Sequence, residues 1–226
     1  MVLRPRLGRS AGLVAPKLRL YSYVVRYDVG FAPNPFHGWC TLATCMLRIR
    51  AKANVGDWII GTGSAEHHRA GYLVYAMRVD EVLSFDEYWA DQRFVRKRPS
   101  LRSSIKMAYG DNIYHRDVEG KWLQENSRHS THDGTPNPDH IARDTKVDRV
   151  LISQQFVYYG GRGPAIPKHL RSDYQIDLVP RGRSYRVNYP PELRAAALRW
   201  ITSELGEGYQ GDPFDWDLPV ARRRSP

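Results

Sequence analysis

Between Lys52 and Trp89 the chain reads KANVGDWIIGTGSAEHHRAGYLVYAMRVDEVLSFDEYW, and no other run limits the fold as tightly. Gly56-Asp57 leads into a short apolar strand, Trp58-Ile59-Ile60, and Gly61-Thr62-Gly63 reads as the turn that leaves it. After a polar loop from Ser64 to Arg69, Tyr72 to Leu83 mixes β-branched, aromatic and small residues in the manner of a longer strand. Ser84-x-x-Glu87 has the spacing of a capping box, in which the serine hydroxyl accepts from the Glu87 amide while the carboxylate reaches back. Phe85, Tyr88 and Trp89 give the helix it opens an apolar face. An antiparallel pair running into a capped helix predicts a small mixed β domain.

The flanking segments extend this pattern. Leu20 to Tyr27 predicts a strand with tyrosines on one face, and Gly30 to Gly38 (GFAPNPFHG) predicts a Pro/Gly loop. Trp39 to Ile49 is apolar but does not declare its state, and residues 92–106 read as basic and irregular. Arg149 to Gly160 (RVLISQQFVYYG) returns to strand grammar, and Tyr174 to Val179 is a weaker strand. Pro190-Pro191 opens the clearest helix: Leu193, Ala196, Ala197, Trp200, Ile201 and Leu205 fall at helical spacing, with Gly206 just past the end. The organisation predicted is a flexible basic arm over 1–19, one domain over 20–210, and an acidic-then-basic tail over 211–226.

The chain is long enough, at 226 residues, to bury a core. Its net charge of +10 points toward nucleic acid, yet the charge is unevenly spread. Residues 1–27 carry six Lys/Arg and no acid, and Arg222, Arg223 and Arg224 add three more, so the ends supply nearly all of the excess. Within the body, Arg93 to Lys106 holds six basic residues and no acid, which is the better electrostatic clue. Two cysteines give no disulfide framework, and a reducing cytoplasm is the simplest home. No apolar run is long enough to span a membrane.

Tyr109 to Asp148 carries the chemistry-bearing residues with almost no hydrophobic period, and so reads as a long functional loop. His115, His129, His132 and Asp144 are the acid/base candidates there, and His140 adds a further ring. His129-x-x-His132 outside a helix does not set both rings on one face, so no metal is assigned and no cofactor is identified. Cys40 reads as an inert buried thiol, and Cys40-x4-Cys45 lacks the second pair of a zinc motif. Aromatic residues near basic ones suit a flipped or single-stranded base held by stacking. The stacking candidates are Trp39, Trp58, Tyr114 and Trp122. Asp111, Asn112 and Gln124 are candidates to read base edges, and Arg26 and Lys106 to hold phosphate.

Two resemblances follow from these residues. The strand near Tyr23, GDWIIGTG, GYLVYAMRVDEVLSFDEYW and RVLISQQFVYYG, in that order, resemble PUA-like domains of the EVE/ASCH branch, which implies a small barrel. VRYDVGFAPNPFHGWCTLATC, GDNIYHRD, the Trp122 to His132 segment and VLISQQFVYYGG resemble the second family of nucleotide modification associated domains. That resemblance covers about residues 20–170 and implies a link to modified DNA bases in bacteria and phages. The expectation is an α+β fold, a PUA-like small β barrel or bent mixed sheet with peripheral helices. The expected function is recognition of a modified base in DNA or a nucleotide, within DNA modification or phage defence; RNA is the other partner that the residues allow. The alternative is an enzyme acting on a nucleotide or DNA base through the loop 109–148.

Overall fold

A computed structural model describes residues 18–182 and 184–217. The strands are β1 (Leu20–Val25), β2 (Cys40–Leu42), β3 (Trp58–Gly63), β4 (Leu73–Arg78), β5 (Glu81–Leu83), β6 (Tyr114–Arg116), β7 (Trp122–Gln124), β8 (Val150–Ser153), β9 (Phe156–Tyr158), β10 (Tyr185–Arg186) and β11 (Gly208–Tyr209). The helices are α1 (Leu47–Lys52), α2 (Phe85–Ala90), α3 (Ile105–Ala108), α4 (Pro138–Asp144), α5 (His169–Ser172) and α6 (Pro191–Glu204).

Six strands form a mixed sheet in the order β10-β1-β3-β4-β9-β11. The pairs β1/β3 and β9/β11 are parallel and the others antiparallel. Strands β2, β8 and β5 make a second, antiparallel sheet, and β6 pairs with β7 as a hairpin. The fold is therefore α+β with peripheral helices. Among the described residues the main sheet ends at β10 and β11 and does not close, so the barrel expected from the PUA-like resemblance is not formed.

Alternation along the central strands sorts side chains to two faces. Leu20, Trp58, Ile60, Leu73 and Ala76 pack under α6, against its Leu193, Ala197, Trp200 and Ile201. Tyr21, Tyr23, Ile59, Tyr75 and Met77 face the other way, onto Leu42, Ile49 and Leu151 from the second sheet and α1. A third cluster joins Phe31, Phe85, Tyr88, Phe94, Tyr114 and Ile152, and it ties the hairpin and α2 to the second sheet. The site described below lies at the edge of this third cluster.

Several local expectations are met and others corrected. The Ser84 hydroxyl accepts from the Glu87 amide and Glu87 accepts from the Ser84 amide, so the capping box is present. Gly61 and Gly63 do not turn the chain: β3 continues through both. A Cβ at Gly61 would run into the Tyr75 ring and Val25, so this glycine permits close packing rather than a bend. Tyr72–Leu83 is two strands, not one. Val79 donates to Asp57 and Asp80 to Ile152, while the Asp80 carboxylate accepts from the amides of Gln154 and Gln155. Those contacts carry the chain from the main sheet into the second.

Tyr174–Val179 forms no strand: it follows α5 as a run of turn and bend. Residues 92–97 coil into a short 3₁₀ helix that buries Lys97. The segment 109–148 is ordered by polar contacts that a hydrophobic pattern does not register: the β6–β7 hairpin, then α4 with Asn137 accepting from the amides of Asp139 and His140. Residues 1–17 and 218–226, which hold all but the last two residues of the predicted arm and Arg222–Arg224, lie outside the described residues. Residues 211–217, expected as tail, pack on the domain. Asp215 accepts from the Asp28 amide at 2.7 Å and the Trp216 indole donates to Val29 at 2.9 Å.

Candidate active site

After β2 the chain makes an abrupt entry into α1. Cys45 and Met46, neither of them glycine, both take left-handed backbone angles, with φ of 55° and 34°. This conformation costs about 1–2 kcal/mol per residue, so the surroundings must hold it. Arg50, in α1 and without solvent exposure, does so. Its guanidinium donates to the carbonyls of Cys45 (3.0 Å), Asp144 (2.7 Å), Val147 (2.8 Å) and Arg149 (2.8 Å). One side chain thereby clamps the Cys45 turn to the end of α4.

That clamp brings three chemical groups into line. The Asp144 carboxylate is fully buried, and its Oδ2 lies 2.7 Å from His129 Nδ1. The other ring nitrogen, Nε2, faces Cys45 Sγ at 3.7 Å. Tyr114 donates its hydroxyl to the same Asp144 oxygen at 3.1 Å, and Arg143 Nε reaches Oδ1 at 3.2 Å. The His129 ring is wedged edge-on between Phe31 and His140, with centroids at 4.7 and 4.4 Å. Gln124 braces it from below, donating to the Tyr114 hydroxyl and the His129 carbonyl and accepting from the Asn137 amide at 2.7 Å. Cys45 as a residue is half-buried, unlike the fully buried Cys40.

Electrostatics favours the charged forms. Burial by itself would lower the His129 pKa, but the contacts with Asp144 and Cys45 outweigh it and raise the value to about 9. Burial would raise Asp144, yet the His129 hydrogen bond and charge, with Arg143, hold it at about 2. Cys45 is pulled below the ordinary thiol value: burial opposes this, and the His129 contact and charge prevail. The three directions agree: each shift favours the charged form, in a thiol displaced toward thiolate beside an imidazole that a carboxylate orients and helps to charge. A cysteine activated by histidine, with a third group fixing the ring, is the arrangement of a covalent catalyst.

The domain also holds a buried acidic pair, Asp28 and Asp215. Tyr158 donates its hydroxyl to Asp28 at 2.6 Å, and the Asp28 amide bonds Asp215, whose carboxylate lies 3.8 Å from His67 Nδ1. Burial raises Asp28 to about 7. A folded-state value above the unfolded one means that the folded protein holds a proton here that the unfolded chain releases between about pH 4 and 7. Stability should therefore fall as pH rises through that window, by up to about 1.4 kcal/mol per pH unit. Asp28→Asn should flatten this slope and raise the melting temperature at pH 8. Thermal melts of both proteins from pH 4 to 8 check this; parallel curves would refute it.

The chain matches the family described as nucleotide modification associated domain 2 over residues 17–219. It belongs to that family. No curated protein and no solved structure matches it. Membership ties this nucleotide modification associated domain to nucleotide modification and confirms the resemblance drawn from the sequence, over a longer span.

The domain distributes the sequence candidates unevenly. His129 and Asp144 come together, joined by Cys45, which sequence reasoning passed over. His115 stacks on Trp89 at 3.9 Å, with Glu125 as its nearest acid, and His132 is exposed; neither reaches His129. Among the described residues no group of three or more His, Cys, Asp or Glu could hold a metal ion. No helix among them is long and apolar enough to cross a membrane.

The base-binding candidates are mostly internal. Trp58 packs under α6, and Tyr114 is fully covered in the third cluster. Asp111 accepts from Thr41 and Tyr88 at 2.6 and 2.9 Å in a buried network around the Lys97 ammonium, and Asn112 donates to the carbonyls of Tyr88 and Phe94. Gln124 is the brace already described. Trp39 and Trp122 are half-buried, with the guanidinium groups of Arg93 and Arg116 over their rings at 5.3 and 3.7 Å. Arg26 is paired with Glu66 at 2.8 Å. Lys106 lies over the Tyr209 ring at 4.2 Å.

Proposed function

We propose that this domain is a thiol-dependent enzyme that acts on a nucleotide base, or on a group attached to one, through a covalent bond to Cys45. The observation behind the reading is the line of contacts Cys45 Sγ–His129 Nε2–Asp144 Oδ2, at 3.7 and 2.7 Å. Family membership, through its link to nucleotide modification, supports a nucleotide-related substrate. In the first step the Cys45 thiolate attacks an electrophilic carbon, forming an S–C bond. The electron pair of the bond that breaks goes to the leaving heteroatom, which takes the Nε2 proton of the His129 imidazolium. In the second, neutral His129 removes a proton from water or an acceptor amine or hydroxyl. That nucleophile attacks the same carbon, and the thiolate departs. Asp144 keeps the ring in the tautomer and orientation that both steps need.

A recognition-only role draws less support. Of its proposed stacking rings, Trp58 and Tyr114 are interior and Trp39 and Trp122 already carry arginines.

The test has two readouts on the full chain. Iodoacetamide alkylation should modify Cys45 at pH 7 well ahead of buried Cys40, with a pH midpoint below the ordinary thiol value. Intact-mass analysis after incubation with deoxynucleotides and with oligonucleotides bearing modified bases should give a covalent adduct or product that Cys45→Ser abolishes. Alkylation of Cys45 with an ordinary midpoint, together with any base-directed turnover that survives Cys45→Ser, would end the proposal.

A further inference from the structure

A cleft opens against the Pro/Gly loop, at Pro35, Phe36, His37 and Gly38. It has a volume of about 560 Å³ and is lined by His37, Arg96, Ser104, Lys106, Glu207 and Tyr209, among others; Cys45 is not one of them. Its polar lining is dominated by positive charge: Arg96 and Lys106 stand against the single acid, Glu207. Neither cation is in an ion pair among the described residues. Lys106 is held in place by the rings of Tyr209 and Phe36, 4.2 and 5.7 Å from its ammonium, which leaves its N–H groups unclaimed by an acceptor.

His37 adds an independent sign. It adopts a left-handed backbone with φ of 61°, a conformation that non-glycine residues rarely take without a local reason. Its ring Nε2 is buried in the cleft wall with no hydrogen-bond partner. Burial, followed by the charges of Arg96, Lys97 and Lys106, pushes its pKa down to about 4, so the ring is neutral and its surroundings are cationic. A buried polar atom without a partner is uncommon in a native fold and asks for one.

The geometry points to this cleft as a phosphate-binding site, in which Lys106 and Arg96 neutralise the anion and His37 Nε2–H donates to one of its oxygens. A phosphate satisfies two unpaired cations and, in the Nε2–H tautomer, the orphan ring nitrogen at once; a carboxylate, with two oxygens, fits the same set less completely. The phosphate comes from a nucleotide or from a nucleic-acid strand. The site does not depend on thiol chemistry at Cys45.

Fluorescence anisotropy of the full chain with fluorescein-labelled (dT)12 tests the site, with thymidine monophosphate and inorganic phosphate as competitors. Lys106→Met and Arg96→Met are each expected to weaken binding about tenfold and to reduce the salt slope by about one. Glu207→Gln should tighten it. Lys121→Met, which removes an exposed charge elsewhere, should leave it unchanged. Displacement by thymidine monophosphate identifies a free nucleotide as a sufficient ligand; binding of the strand that the monophosphate does not displace identifies the diester. Failure to bind any probe, wild-type affinity in both cleft variants, or an equal loss in Lys121→Met would overturn the inference. Because Glu207→Gln is expected to change affinity upward, a folding defect cannot imitate support.

Discussion

Asp144→Asn is expected to lower thiol-dependent turnover by a factor on the order of 10³–10⁴, the scale seen when the orienting carboxylate of a catalytic triad is replaced by its amide. The wild-type carboxylate accepts from His129 Nδ1 at 2.7 Å and so directs Nε2 at the sulfur. An amide can present its NH₂ to that position, which favours the other tautomer, with Nδ1 unprotonated and Nε2 unable to accept the thiol proton. The charge stabilising the imidazolium is lost as well. The Cys45 thiolate should then form only at higher pH, and the alkylation midpoint should move up in the same variant. In the wild type, the imidazolium that protonates the leaving group is depleted above about pH 9, so the rate should fall on that alkaline limb. A pH–rate profile on the two proteins measures both effects. Asp144→Asn with wild-type turnover and an unshifted alkylation midpoint would show that the carboxylate only fills space.

The largest effect on stability is expected at Arg50. Its guanidinium makes four hydrogen bonds to carbonyls of Cys45, Asp144, Val147 and Arg149, all from a position without solvent exposure. Arg50→Met keeps much of the stem's volume and removes every donor. The orphaned carbonyls lose partners that water cannot easily replace, and removing one side of a buried charged network typically costs about 3–5 kcal/mol. In a protein of this size that is a fall in melting temperature of roughly 10 °C. Arg50→Lys should recover only part of it, since an ammonium has three donors and no planar fork. Urea unfolding of the three proteins gives the numbers; a loss below about 1 kcal/mol in Arg50→Met would mean that the strained Cys45 turn is held by something else.

Local chemistry was legible where short-range rules apply. The Ser84 capping box, the apolar face of α6 and the β1 strand depend on residues a few positions apart, and each forms as its spacing implies. The alternation in Trp58-Ile59-Ile60 likewise assigns side chains to the two faces of the sheet. Where pattern reading failed, tertiary contact had taken precedence. Gly61 and Gly63 look like turn residues, but the missing Cβ at Gly61 serves the approach of Tyr75. Asp80 divides one apparent strand between two sheets by accepting amides from residues more than seventy positions away. The segment 109–148 shows little periodicity because its order comes from caps, turns and buried polar contacts.

The candidate site divides in the same way. The sequence by itself determined that His129 and Asp144 share a polar segment rich in acid/base groups, that the chain carries two cysteines, and that its motifs belong with nucleotide modification. It could not pair Cys45 with His129, 84 positions apart, because no local spacing encodes that contact. Nor could it separate Asp111, Asn112 and Tyr114 from surface residues of the same types, since burial is settled by what other elements cover. Those decisions fell to the tertiary structure. Arg50 draws the Cys45 turn onto the end of α4, Phe31 of the third core cluster packs against the His129 ring, and the contacts among Asp144, His129 and Cys45 oppose the cost of burying their charges.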